Sequence, residues 1–104
     1  VEGAVGMGLG TALTEEMLWG PDGRLSNPHF LDYRIPTLSE VPPIDVTPIE
    51  GFLGAGPFGA KGVGEPPIIP VPAAVANAVA QATGVRVREL PLTPERVARA
   101  LKLL

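Results

Sequence analysis

The sequence lacks cysteine and has one histidine, His29, among its 104 residues. The absence of cysteine excludes disulfide bonds, thiolate metal sites, iron–sulfur ligation and cysteine nucleophiles within this chain. A single histidine also excludes a histidine-rich metal centre built from these residues alone. We therefore expect no metal ligands in the chain, and the missing cysteines are consistent with a cytoplasmic protein.

Long apolar runs are also missing. No run approaches the ~20 residues that span a bilayer, and no basic region precedes an apolar stretch as in a signal peptide. Glycine and proline number 13 each, a content typical of disordered sequences. However, 45% of the residues are hydrophobic and the net charge is only −3, which gives the chain apolar surface to bury. Because the apolar pattern starts at Val1 rather than after a Met, we expect a fragment of a larger protein.

The charges are unevenly divided. Residues 1–60 carry a net charge of −6 and residues 61–104 carry +3. Three of the basic residues, Arg96, Arg99 and Lys102, have helical spacing, which favours a solvated helix face. The overall acidity argues against binding to a phosphate backbone, so we expect no nucleic-acid partner.

The pattern predicts three helices. Apolar residues recur at four-residue steps from Val1, which predicts a helix over residues 1–19. Pro72 suits the first turn of a second helix and Gly84 its end. Thr93 is the predicted N-cap of a third helix, with Val97, Leu101 and Leu104 on its apolar face. A strip of small residues on the first helix predicts close packing, by another helix or by a cofactor; it comprises Gly3, Gly6 and Gly10.

Between the helices the chain is interrupted by turns and prolines. Residues 20–23, Gly-Pro-Asp-Gly, predict a tight turn. Short strands are predicted over residues 31–35, 44–49 and 85–90, the second of them limited by its prolines to a sheet edge. Together with a glycine-rich loop over residues 51–64, these elements predict an α+β fold. The elements show no boundary between two domains, so residues 1–104 are treated as one part of a larger protein.

The glycine-rich loop invites a nucleotide-binding interpretation. Residues 54–59 match G-x-G-x-x-G, but the dinucleotide motif must open a helix directly, and the following residues cannot do so. A phosphate loop would need Ser or Thr after Lys61, where this chain has Gly62. A phosphate-binding loop therefore stays a minor alternative.

Glu65 is the candidate catalytic residue. Two prolines follow it and stiffen the chain, while Val63, Ile68 and Ile69 are apolar neighbours. Partial desolvation by such neighbours would raise the pKa of the carboxyl group toward the range of a general base. The simpler interpretation is an exposed loop acid that pairs with Lys61.

Four ordered motifs resemble one enzyme family. Residues 59–67, Gly-Ala-Lys-Gly-Val-Gly-Glu-Pro-Pro, are similar to a signature near the C-terminus of the molybdopterin-binding large subunit of the xanthine dehydrogenase and aldehyde oxidase family. Residues 1–10 resemble that subunit's glycine-studded helix. Residues 31–37, Leu-Asp-Tyr-Arg-Ile-Pro-Thr, and residues 87–95, Val-Arg-Glu-Leu-Pro-Leu-Thr-Pro-Glu, resemble two further segments. The resemblance covers essentially the whole chain, and it implies that residues 1–104 are the C-terminal part of a molybdopterin-binding domain.

The resemblance implies an activity and its residues. Enzymes of this family hydroxylate an aldehyde or heteroaromatic substrate with oxygen derived from water. Glu65 would be the catalytic base, and Gly62 and Gly64 would approach the molybdenum–molybdopterin cofactor through their backbone. Iron–sulfur centres and flavin, on partner domains or subunits, would carry the electrons away.

The same resemblance limits what this chain does alone. The family's subunit is many times longer, so we expect the isolated chain to bind no cofactor and to be inactive. Its partners would be the remainder of the molybdenum subunit, the iron–sulfur and flavin subunits and a small-molecule substrate. The alternative is a non-catalytic interaction module that self-associates through exposed apolar faces.

Overall fold

The computed structural model describes residues 1–51 and 54–104, and within them it contains helices and turns but no strand. Residues 52 and 53 of the predicted glycine-rich loop lie outside the described residues. Three α-helices are present: α1 (Glu2–Leu13), α2 (Val71–Thr83) and α3 (Pro94–Ala100). Two short 3₁₀ turns, Pro57–Gly59 and Pro66–Ile68, lie between α1 and α2.

The first helix is shorter than predicted. It ends at Leu13 rather than at residue 19, because Thr14 adopts a non-helical φ of −135° and the next amide bonds back to Gly10. The chain then enters a small hairpin in which Trp19 and Leu25 form an isolated antiparallel bridge. The predicted turn over residues 20–23 is confirmed, since the Gly23 amide donates to the Gly20 carbonyl over 3.0 Å.

The predicted strands are not found, and the α+β description is therefore corrected for the described residues. Residues 31–35 contain a turn in which the Asp32 and Tyr33 amides both donate to the His29 carbonyl. Residues 44–49 and 85–90 contain no strand either. A strand requires a neighbouring strand for its backbone hydrogen bonds, and the described chain supplies none for these segments.

The second helix ends and the third helix begins as predicted. Gly84 ends α2 with a φ of 75°, a left-handed conformation that glycine adopts without a Cβ penalty. The Thr93 hydroxyl caps α3 by accepting a hydrogen bond from the Arg96 amide over 3.3 Å. However, α3 ends at Ala100, so Leu104 is exposed rather than part of an apolar helix face.

The small-residue strip on α1 packs differently from the prediction. A Cβ added at Gly8, which is not in the strip, would lie 2.5 Å from Val71 of α2, so Gly8 is the close helix–helix contact. Within the strip, Gly10 faces the Glu15 side chain and Pro36, and Gly6 faces Val41, all of which lie outside the helices. Gly6 and Gly10 therefore pack on loop residues rather than on another helix, and the alternative, close approach of a cofactor to the strip, stays a prediction.

The hydrophobic core is small. The buried apolar side chains at its centre are Ala4, Ala12 and Leu92, and the Leu92 amide donates to the Ala12 carbonyl over 2.7 Å. The accessible surface is 8122 Å², compared with about 5,500 Å² for a compact monomer of this mass. The radius of gyration is 17.2 Å, compared with ~13 Å for a compact domain of this length. The chain thus leaves much apolar surface exposed. None of its described helices is long and apolar enough to cross a bilayer.

Candidate functional site

Glu65 lies where the glycine-rich loop meets the turn Pro66–Ile68. Its φ and ψ of −87° and −37° begin this 3₁₀ turn, and its carbonyl accepts a hydrogen bond from the Ile68 amide over 2.9 Å. Prolines at the next two positions restrict the backbone φ angles, so the turn holds a defined direction. The local sequence therefore fixes the point from which the Glu65 side chain projects.

The Glu65 side chain lines a groove between this turn and α1. The groove has a volume of ≈420 Å³, and Met7 of α1 faces Pro66, Ile68 and Ile69 across it. Apart from the carboxylate, these lining side chains are apolar. A carboxylate at the edge of an apolar groove is an arrangement that many binding sites for small organic molecules use. Met7 is a lining residue that the sequence patterns did not single out.

Glu65 is exposed in this chain. The simpler interpretation of the sequence also predicts exposure, whereas a general base was expected to be partly desolvated. The described residues form the groove from α1 on one side and the turn Pro66–Ile68 on the other, and they leave Glu65 exposed to solvent. Any further desolvation of the carboxylate therefore has to come from atoms outside the described residues.

The two halves of the glycine-rich loop differ in how they are packed. In the first half, the Gly54 amide donates to the Gly59 carbonyl over 2.8 Å, and a Cβ at Gly54 would lie 2.6 Å from the Ala60 carbonyl oxygen. In the second half, a Cβ at Gly62 or Gly64 would meet no atom within 4 Å. The backbone of the second half is therefore open to a close approach from outside.

Gly62 and Glu65 do not share one groove. Gly62 lines a second groove of ≈590 Å³, formed with Lys61, Val63 and residues 48–50, whereas Glu65 lines the groove beside Met7. Gly64 lies between them on an exposed part of the loop. The loop thus presents two adjacent surfaces rather than one closed pocket.

The literal nucleotide motif has an unsuitable conformation. Residues 57–59 form only a single 3₁₀ turn, in which Phe58 has a φ of 57°, and the next α-helix begins at Val71. A dinucleotide site needs the glycines to open a helix directly. Residues 54–59 therefore do not have the conformation of a dinucleotide-binding motif.

An arginine that was expected on a solvated helix face is instead the principal tertiary anchor of α3. Arg96 donates from both terminal nitrogens to Glu16, over 3.0 and 2.6 Å, and also to the Pro91 carbonyl and the Glu89 carboxylate. The hydrogen bonds from Arg96, reinforced by its charge, lower the pKa of Glu16. Glu16 and Arg96 are 80 positions apart, so no local pattern indicates their contact.

A second anchor fixes the hairpin after α1. Asn27 is buried, and its side chain accepts a hydrogen bond from the Leu18 amide over 2.9 Å and donates to the Glu16 carbonyl over 2.7 Å. Tyr33 donates to Glu15 over 2.8 Å, a bond that raises the pKa of the tyrosine. These contacts hold the segment that carries the predicted motif at residues 31–37 against the end of α1.

The described residues fit one wall of a molybdopterin site rather than a complete one. The open backbone at Gly62 and Gly64 would admit a cofactor that a side chain would obstruct, and Glu65 lies next to it. Within residues 1–51 and 54–104, no three His, Cys, Asp or Glu side chains form a cluster suited to a metal ion.

A family model described as a molybdopterin cofactor-binding domain matches residues 1–42. The chain is 47% identical over 98 residues to a putative xanthine dehydrogenase molybdenum-binding subunit of Escherichia coli, a match covering 93% of this chain. It is 42% identical over 105 residues to the nicotine 6-hydroxylase large subunit of Paenarthrobacter nicotinovorans, covering 98% of this chain.

A solved structure gives the same result. The quinoline 2-oxidoreductase from Pseudomonas putida 86 matches with a TM-score of 0.88 and 34% identity over 98% of this chain. The chain spans about 13% of the length of that structure and 13% of each of the two sequence relatives. These comparisons confirm the family predicted from the four motifs: over nearly its whole length, the chain matches a segment of the molybdopterin-binding subunits of the xanthine dehydrogenase and aldehyde oxidase family.

Proposed function

We propose that this chain forms one wall of the active site of a molybdenum hydroxylase and that Glu65 is its catalytic base. The observation that carries the proposal is the position of the Glu65 carboxylate, at the edge of an apolar groove and next to the open backbone of residues 62–64. The molybdenum–molybdopterin cofactor, when bound, supplies the redox chemistry that oxidises a C–H bond of an aldehyde or heteroaromatic substrate with oxygen from water.

The residues of this chain act as binding and proton-transfer groups. Gly62 and Gly64 let the cofactor approach the loop backbone, because no Cβ stands in the way. Glu65 accepts the proton that the water-derived oxygen releases, and holds it at a carboxylate oxygen. Pro66 and Pro67 keep the carboxylate in position while the rest of the subunit closes the groove and excludes water.

The proposal extends to the whole enzyme. The open side of the Glu65 groove and the large exposed surface support a remainder of the subunit that covers this chain. Relatives described as molybdenum-binding subunits support partner subunits, on which iron–sulfur centres and flavin would accept electrons. The isolated chain is then inactive, because it has neither the second wall nor these electron acceptors.

The test replaces Glu65 in the complete molybdenum-binding subunit. Glu65→Gln keeps the size of the side chain and removes the base, so we expect kcat to fall by about 10²–10⁴-fold with the molybdenum content unchanged. Glu95→Gln is the matched control, since Glu95 is an exposed acid in the first turn of α3 and lines no part of the Glu65 groove. Near wild-type hydroxylation by a molybdenum-loaded Glu65→Gln enzyme would refute the role of Glu65.

The second candidate is a non-catalytic module that self-associates. It is favoured by large apolar side chains that are almost fully exposed, including Phe58, Leu38 and Ile49. Light scattering of the chain over a range of concentrations tests it. A monomer at every concentration would count against self-association, whereas a stable dimer that remains when residues 59–67 are deleted would count in its favour.

A further inference from the structure

The close contact between α1 and α2 lies only a few residues along the chain from the candidate base. Gly8 of α1 is buried, and a Cβ at this position would lie 2.5 Å from the Cβ of Val71, the first residue of α2. The same atom would lie 2.9 and 3.0 Å from the two Val71 methyl groups, so the helix spacing requires glycine here. Val71 follows Glu65 by six positions. The contact therefore holds the start of α2 on α1 near the point from which Glu65 projects.

The segment that joins Glu65 to Val71 is stiff. Prolines occupy three of the five positions between these two residues, and each proline restricts its backbone φ. The turn Pro66–Ile68 is closed by a hydrogen bond of 2.9 Å from the Ile68 amide to the Glu65 carbonyl. The Pro70 carbonyl accepts a further hydrogen bond, over 2.9 Å, from an amide in the first turn of α2. A displacement of Val71 is therefore transmitted to Glu65 rather than absorbed by the chain between them.

The groove that holds Glu65 depends on the same helix spacing. Met7, next to Gly8 on α1, lines one side of this groove, and the turn Pro66–Ile68 lines the other. Because the turn is joined to α2 by the stiff segment, the distance between α1 and α2 sets the distance between Met7 and Glu65. The Gly8 contact limits how closely the two helices approach.

We propose that Gly8 is a positioning residue for Glu65. Its missing side chain lets Val71 lie against α1, and this contact, through the proline-rich segment, places the Glu65 carboxylate. A general base has to lie within hydrogen-bond reach of the proton that it accepts, and a misplacement of about 1 Å can lower a rate by about 10²-fold. The inference rests on the proposed function, in which Glu65 is the base.

The test measures kcat, KM and molybdenum content of the complete molybdenum-binding subunit in its assembled enzyme. Gly8→Ala should lower kcat about 10- to 100-fold, with KM and molybdenum content little changed. The double variant Gly8→Ala, Val71→Gly lacks the three atoms that the new Cβ would meet, so it should recover most of this loss.

Asn27→Ala is the control for a loss of stability alone. It removes two hydrogen bonds of a buried side chain and so destabilises the fold, but Asn27 lines no part of the Glu65 groove. Its kcat should stay close to that of the wild type. Equal losses of kcat in Gly8→Ala and Asn27→Ala would overturn the proposal.

A double-mutant cycle separates positioning from a general structural effect. If Gly8 acts through the Glu65 carboxylate, Gly8→Ala should cause no further loss of kcat in a Glu65→Gln enzyme. A structural effect would lower kcat by the same factor in both backgrounds, and that result would overturn the proposal. Should Gly8→Ala fail to fold, Val71→Ala takes its place in the cycle, because it removes two methyl groups from the contact without creating a clash. Unchanged kcat in Val71→Ala would then overturn the proposal.

A crystal structure of the Gly8→Ala enzyme supplies a readout that does not depend on activity. We expect the Glu65 Cα to lie about 1 Å farther from α1, since carbon atoms in favourable contact are about 3.5–4.0 Å apart, while residues 65–71 keep their own conformation. An unmoved Glu65 would overturn the positioning role alone. A displaced Glu65 together with full activity of Glu65→Gln would instead refute the proposed function, so the two failures are distinguishable.

Discussion

The contact between Gly8 of α1 and Val71 of α2 makes a quantitative prediction. A Cβ at position 8 would lie 2.5 Å from the Val71 Cβ and 2.9 and 3.0 Å from its two methyl groups. Carbon atoms in favourable contact are about 3.5–4.0 Å apart, so Gly8→Ala forces the helices to separate by roughly 1 Å. Overpacking of this kind costs about 1–3 kcal/mol.

The matched control is Gly6→Ala. Position 6 is also inside α1, but its added Cβ would lie 3.7 Å from a Val41 methyl group, an ordinary contact. Both variants gain about 1 kcal/mol of helix propensity, so their difference isolates the clash at Gly8. We expect the amides of α1 and α2 to exchange about 5- to 150-fold faster in Gly8→Ala than in Gly6→Ala.

Hydrogen exchange followed by mass spectrometry measures this difference directly. Val71→Gly removes all three atoms that the new Cβ would meet, so the double variant Gly8→Ala, Val71→Gly should lose most of the clash. Equal exchange in the Gly6 and Gly8 variants would refute the reasoning, because it would mean that α1 and α2 are not held at the described distance.

Three further predictions concern the anchors around α1 and α3. The hydrogen bonds from Arg96 lower the pKa of Glu16 below its ordinary value of 4.5. The pairing of Glu16 with Arg96 therefore stabilises the fold fully above pH 4.5, and this stabilisation is lost as the pH falls through the lowered pKa. Glu16→Gln should remove this part of an acid titration followed by circular dichroism. Asn27→Ala should lower the free energy of unfolding by about 1–3 kcal/mol, because it leaves buried polar groups unpaired. The Leu18 amide should then exchange faster, whereas Asn27→Asp keeps an oxygen that can accept the hydrogen bond from this amide. Thr93→Ala should cost about 1 kcal/mol and fray the start of α3, whereas Thr93→Ser should not, as amide exchange at Arg96 would report.

The sequence predicted features that depend on neighbouring residues better than features that depend on contacts between distant residues. The Gly84 helix end, the Thr93 cap and the turn at residues 20–23 depend on a few consecutive residues, and all three are confirmed. The predicted helix over residues 1–19 extended too far, because the Asn27 contacts that hold the hairpin after α1 come from a residue outside that window.

In the candidate site, too, the sequence indicated the residues of one local motif but not a residue that comes from a distant helix. The motif at residues 59–67 indicated Glu65, Gly62 and Gly64 before any geometry was known, and the structure leaves the loop backbone open at both glycines. No periodicity indicated that Met7 would line the Glu65 groove, since it comes from α1, 58 positions earlier. The desolvation expected for Glu65 is not provided by the described residues, in which Glu65 is exposed.

The amino-acid sequence by itself indicated the family, the candidate base, the end of α2 at Gly84 and the start of α3 after Thr93. These depend on residue identity and on hydrogen bonds between near neighbours in the chain. Only the tertiary structure decided that Arg96 pairs with Glu16, that Gly8 rather than the predicted strip brings two helices together, and that the predicted strands stay unpaired. Such contacts join distant positions, and their free energy depends on which surfaces meet, a quantity that no local pattern encodes.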